Sequence, residues 1–154
     1  MLNVASALKI LLSGSWTASV SPKYCIQNYG LDVKNLVSMF NPTLGCPQIS
    51  INDEVSLEQK PIIRNIYRTK HKVLVGVFTR PVTYVNSVVS GSQASFRTVV
   101  TEVDRILRAK RYTGSVFNEI VCEGWKYETN KDEEPVYLVA VQTVVCTYVE
   151  GDNE

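Results

Sequence analysis

His71 is the chain's single histidine and stands between Lys70 and Lys72. General acid–base work or metal binding there needs a second group that its neighbours in sequence do not supply, so it reads as a polar residue at a strand start. Cys25, Cys46, Cys122 and Cys146 are far apart and form no C-x-x-C pair, which points to free thiols packed as small hydrophobes rather than a zinc knuckle or redox motif. Arg105, Arg108, Lys110 and Arg111 crowd one helix end. They suit phosphate or an acidic neighbour, and complementarity to the helix dipole explains them equally well. Lys131 leads into the acidic run Asp132, Glu133 and Glu134, which lacks the alternating Asp/Asn ligands of a calcium loop. A solvated turn or a subunit salt bridge fits it better. Trp125 and Tyr127 share a strand face and suit either stacking on a base or sugar or packing across strands. Ser13-Gly14-Ser15 and Ser90-Gly91-Ser92 are not nucleophile elbows, and no phosphate-binding G-x-x-x-x-G-K-[ST] occurs. The expectation is a protein with no catalytic residue, no metal ligands and no cofactor.

The elements that carry these residues belong to a chain of 154 residues, long enough for one domain, residues 1–154, with a real core. Sixteen Lys and Arg nearly cancel fifteen Asp and Glu, leaving a net charge of +1. No global field draws such a chain to free nucleic acid or to an anionic membrane. No apolar run is long enough to span a bilayer, and the N-terminal run is interrupted by Asn3, Ser6 and Lys9, unlike a signal peptide.

Hydrophobic spacing then sets the elements. Val4, Leu8, Leu11 and Leu12 predict a first helix capped by Asn3 and ended at Gly14. A short strand is expected around Tyr24 to Gln27, a second helix between Asp32 and Phe40, and a brief strand from Gln48 to Asn52. Residues 53–70 fit an extended arm or a helical turn. His71 to Arg80 reads as a strand apolar on both faces, Val82 to Gln93 as a long loop suited to contacts, and Ser95 to Lys110 as a helix buried along Phe96, Val99, Val100, Val103, Ile106 and Leu107. Val116 to Tyr127 and Val136 to Val149 predict an antiparallel hairpin, joined through Glu128 to Pro135. A strand as long as the second exceeds the usual five or six residues and is expected to project and to need covering by another subunit. The fold class is therefore α+β, a mixed or mainly antiparallel sheet with a long C-terminal hairpin against two or three helices.

In this order of elements the chain resembles the tail terminator and tail-completion (neck) proteins of long-tailed bacteriophages. The parts that carry the likeness are the helix Asn3 to Leu12, the strand ending Val77-Phe78-Thr79-Arg80-Pro81, the helix Phe96 to Lys110 and the hairpin Glu119 to Val149. The resemblance implies a virion protein, made in the host cytoplasm, whose copies form a ring, expected to be hexameric, on the tail tube. Such a ring ends tube growth and meets the head-side connector or stopper protein, with DNA only as cargo through its lumen. Its partners would be itself, tail tube protein and that connector. Subunit contacts are then expected on Val85, Asn86, Ser87, Val88 and Val89, on Arg105 and Arg108, and on Lys131, Asp132, Glu133 and Glu134. A head-completion connector, a cellular protein-binding module using Trp125 or a sheet edge, and a small enzyme remain as alternatives.

Overall fold

The computed structural model describes residues 3–27, 47–79, 92–111, 116–129 and 138–151. Their elements run α1 (Val4–Ser15), β1 (Lys23–Gln27), β2 (Gln48–Ile63), β3 (Ile66–Thr79), α2 (Ser92–Ala109), β4 (Glu119–Thr129) and β5 (Leu138–Gly151). The five strands form one sheet in the order β1-β2-β3-β5-β4, parallel between β1 and β2 and antiparallel elsewhere. This is an α+β fold on a mixed sheet. No described helix is long and apolar enough to cross a membrane.

Asn3 caps α1 as its type predicts, holding extended backbone while its Oδ1 accepts from the Ser6 amide at 3.1 Å. Val4, Ala5, Leu8 and Leu12 are the buried face. Gly14 does not stop the helix. It runs on to Ser15, with Trp16 as the C-cap, and Trp16 Nε1 donates to the Val20 carbonyl at 2.8 Å, which fixes the exit.

β3 is the middle of the sheet and pairs along its whole length with β5 and through most of it with β2. Val73, Val75 and Val77 lie under the helices beside Ile49 and Ile51 of β2 and Ala140, Val144 and Cys146 of β5. Phe78, Val139 and Val141 are buried on the opposite face. A central strand covered on both sides must be apolar on both, as its sequence is.

α2 begins at Ser92, three residues before the expected start at Ser95, and takes in the end of the stretch expected as loop. Val99, Val103 and Leu107 are fully buried and Ile106 nearly so. The β-branched Val99, Val103 and Ile106 are weak helix formers, and their burial against the sheet supplies what propensity does not. Glu102 departs from its expected outward position. It is 8% exposed, because Arg105 and Thr17 reach its carboxylate.

β4 and β5 pair as the expected hairpin, with Glu128 and Thr129 inside β4 rather than in the connection. The register shifts between Cys122 and Trp125, where Gly124 takes φ +112°. That backbone region is open to glycine at little cost, and a bulge here turns Trp125 onto the helix-side face.

The projecting hairpin is the other one. Residues 53–70, which fit two readings by sequence, extend β2 and β3 into an arm turned by Arg64-Asn65, with Asn65 left-handed at φ 65°. Glu58 to Asn65 are all exposed, and six strand residues there reach roughly 20 Å. The end of β5, Thr147 to Gly151, runs along the arm as its third strand. The expected second helix at 32–40 lies outside the described residues.

Candidate functional site

Three places combine geometry with chemistry: the arm, a cleft between α2 and β4, and a buried acid–imidazole pair at the arm's root.

The arm is a sheet with two open borders. β1 covers β2 only from Gln48 to Asn52, and β4 covers β5 only to Thr147. Beyond these points no further strand among the described residues pairs along the outer edge of β2, and none runs along the edge of β5 that faces away from β3. Pro61 sits in β2 where only an edge strand tolerates it, since it has no amide to donate. Ile62, Ile63 and Val149 are 47%, 62% and 46% exposed. Open edges beside exposed aliphatic side chains are a ready template for another chain.

The arm's two faces differ. Thr69, His71 and Val73 are buried on one, whereas Arg68, Lys70 and Lys72 stand exposed on the other. Across from them on β2, Glu58 pairs with Lys70 and Lys60 with Arg68 in register, and Lys60 Nζ lies 3.2 Å from Glu58.

The cleft measures about 220 Å³ and is lined by Leu107, Arg108, Arg111, Ile120, Cys122, Trp125 and Gln142, with Asp104 at its rim. Its charges are already matched, Arg108 to Asp104 at 2.9 Å and Arg111 to Glu119 at 3.7 Å. The floor is not matched. Both amide atoms of Gln142 and the indole N–H of Trp125 are buried without a hydrogen-bond partner, and such groups favour any visitor able to satisfy them. Burial pushes the Cys122 thiol up to about 11, with the Asp104 carboxylate adding to it, so it is not a thiolate nucleophile near neutral pH.

His71 is not at a strand start but inside β3 and 6% exposed. Its Nε2 donates to Asp53 Oδ1, supplying the second group that sequence neighbours could not. Nδ1 is buried and unpartnered. Cys146 stands opposite His71 in register, but burial drives its thiol far above the ordinary value. Tyr148 nearby is raised as well, first by burial and then by Glu150 and Asp53. Among the described residues no group of three His, Cys, Asp or Glu side chains is arranged to hold a metal ion.

The sequence-predicted surface residues are not brought together. Arg105 spans to the end of α1, its Nη2 donating to the Ser15 carbonyl at 3.0 Å and to Thr17 Oγ1 at 3.3 Å, so it knits the two helices. Arg108 lines the cleft. Val85, Asn86, Ser87, Val88, Val89, Lys131, Asp132, Glu133 and Glu134 lie outside the described residues. Cys25, Cys122 and Cys146 are free thiols, as expected, and Cys46 is outside that set. Tyr127 is 65% exposed, with Phe96 edge-on to it at 6.4 Å, while Trp125 packs into the cleft, so the two do not form one stacking platform. The structure selects the extended arm, one of the two readings open for residues 53–70, whereas the Asp53–His71 pair escaped sequence reading. No protein-family model matches the chain, and no curated protein matches its sequence.

Proposed function

We infer that this chain is a structural subunit that closes into a ring through its arm, in the manner of the tail terminator and neck proteins it resembles. One observation carries the reading: the arm of β2, β3 and the end of β5 offers two open strand borders and the exposed Ile62, Ile63 and Val149. An arm with both borders open favours head-to-tail contacts, in which one border of each copy meets a different surface of the next, and such contacts generate rings when the rotation closes. Within the resemblance, a ring on the last disc of a tail tube would block further addition by covering it, leave a lumen for DNA and present its other side to the head connector. The work is geometric and asks no reaction of the side chains.

Sedimentation velocity and native mass measurement across a concentration series test this, followed by electron microscopy of the largest species. The expected result is a single closed oligomer, six-fold in the tail terminator case. A chain that stays monomeric at high concentration, alone and with tube protein, sinks the reading.

A second reading, a monomeric binding module, is favoured by the α2/β4 cleft, whose Gln142 and Trp125 groups await a partner. It predicts a small-molecule or peptide ligand whose binding is lost in Gln142→Leu, with no change of mass.

A further inference from the structure

Arg68, Lys70 and Lys72 occupy alternate positions of β3, all exposed and all on the sheet face turned away from the buried Thr69, His71 and Val73. None of the three makes an ion pair among the described residues, whereas Lys60 beside them is held by Glu58. The chain as a whole carries only +1, so this row is a local concentration of charge rather than a sample of the average surface. Its spacing matters. Two residues of a strand advance about 6.7 Å, so the three cations form one even row about 13 Å long. Beside the row, β5 sets Val145, Thr147 and Val149 in register with Lys72, Lys70 and Arg68. These are short side chains without aromatic rings, so the face can meet a backbone but has nothing on which a base would stack.

We propose that the outer face of the arm, through Arg68, Lys70 and Lys72, is a binding site for the phosphate backbone of nucleic acid, read without regard to sequence. Each cation neutralises a phosphate and releases its condensed counterions, which makes the affinity steeply salt-dependent. The site stands whether or not the chain forms a ring. An acidic protein surface is the competing occupant, and it is disfavoured by the evenness of the spacing and the small side chains flanking the row.

The test is fluorescence anisotropy with two labelled duplexes of unrelated sequence, titrated with the full chain across a series of KCl concentrations. Three neutralised phosphates predict a slope of log K against log salt of about −2.7, an affinity loss of roughly 40-fold between 50 and 200 mM, and equal affinity for both duplexes. R68Q/K70Q/K72Q should abolish the salt-dependent binding, and Lys70→Gln alone should reduce the slope by about 1. Lys9→Gln, on the exposed side of α1, should change nothing. Thermal melting run in parallel identifies any variant that fails to fold, and the single substitution then decides. The proposal is overturned if the triple variant binds like the parent. It is overturned equally if heparin binds and duplex does not, or if the cations prove necessary for self-association while neither protein binds DNA.

Discussion

Asp53 takes a hydrogen bond from His71 Nε2 across the β2 irregularity, tying β2 to β3 at the root of the arm. The register between β2 and β3 shifts just after Asp53, so the pair spans the place where the ladder is interrupted. It holds two strands together where backbone bonds are fewest. Asp53→Ala leaves a buried imidazole with neither nitrogen satisfied. A destabilisation of about 1–2 kcal/mol is expected in urea unfolding, and Asp53→Asn should recover most of it by accepting the same bond.

Glu102 and Arg105 make a second tie, between the two helices. The Arg105 hydrogen bond holds the Glu102 carboxyl below its ordinary range, against the opposing effect of burial. The native state therefore binds fewer protons at this group than the unfolded chain does. Its stabilisation should be complete above the ordinary glutamate value of about 4.3 and fade as pH falls through the lower native value. Comparing the parent with Glu102→Gln by thermal melting should give a difference at pH 7 that shrinks on acidification below about pH 4. A difference independent of pH would refute the assignment.

Arg105→Ala removes the contacts to Ser15, Thr17 and Glu102 at once. It strands a carboxylate that is almost fully buried, and about 2–3 kcal/mol should be lost. Part of that loss should vanish in the Glu102→Gln background, and a double-mutant cycle measures the coupling directly.

Exposed side chains behave oppositely. Ile62→Ser with Ile63→Ser should leave the midpoint of unfolding within about 0.5 kcal/mol of the parent, because both side chains already face solvent. Self-association should weaken by at least tenfold in sedimentation equilibrium. Unchanged association would move the subunit contact away from the arm tip.

The thiols give a chemical check of the packing. At pH 8 iodoacetamide should spare Cys146, whose thiol is fully buried and pushed far up, and should modify Cys122 slowly, since its thiol is raised to about 11. Peptide mapping after native and denatured labelling distinguishes the positions. Rapid native labelling of Cys146 would mean that the β3–β5 core opens readily.

The parts of the fold that could be read in advance are those where one face is buried. Val99, Val103 and Leu107 mark α2 because the sheet imposes a helical period on them, and Val73, Val75 and Val77 mark β3 for the corresponding reason. For the arm the extended and helical readings stayed open because Glu58, Gln59, Lys60 and Pro61 are all exposed, so no burial imposes alternation on β2 there. The Asp53–His71 contact joins residues eighteen positions apart through strand pairing, a relation that no local spacing encodes. Glu102 misled because charged residues are rarely buried, and its partner Thr17 sits on the far side of the chain. The loop and turn residues expected to make contacts lie outside the described residues, and the surface that geometry favours is the arm instead.

The middle strand has one consequence for how the molecule is made. β2 and β3 close through a two-residue turn and can zip early, yet the other border of β3 must wait for β5, about half a chain length downstream. Distant pairings of this kind slow folding. During synthesis the nascent hairpin would therefore carry a naked valine-rich flank for seconds, and chaperone capture, or premature docking onto a sibling hairpin, would compete with the arrival of its own closing strand.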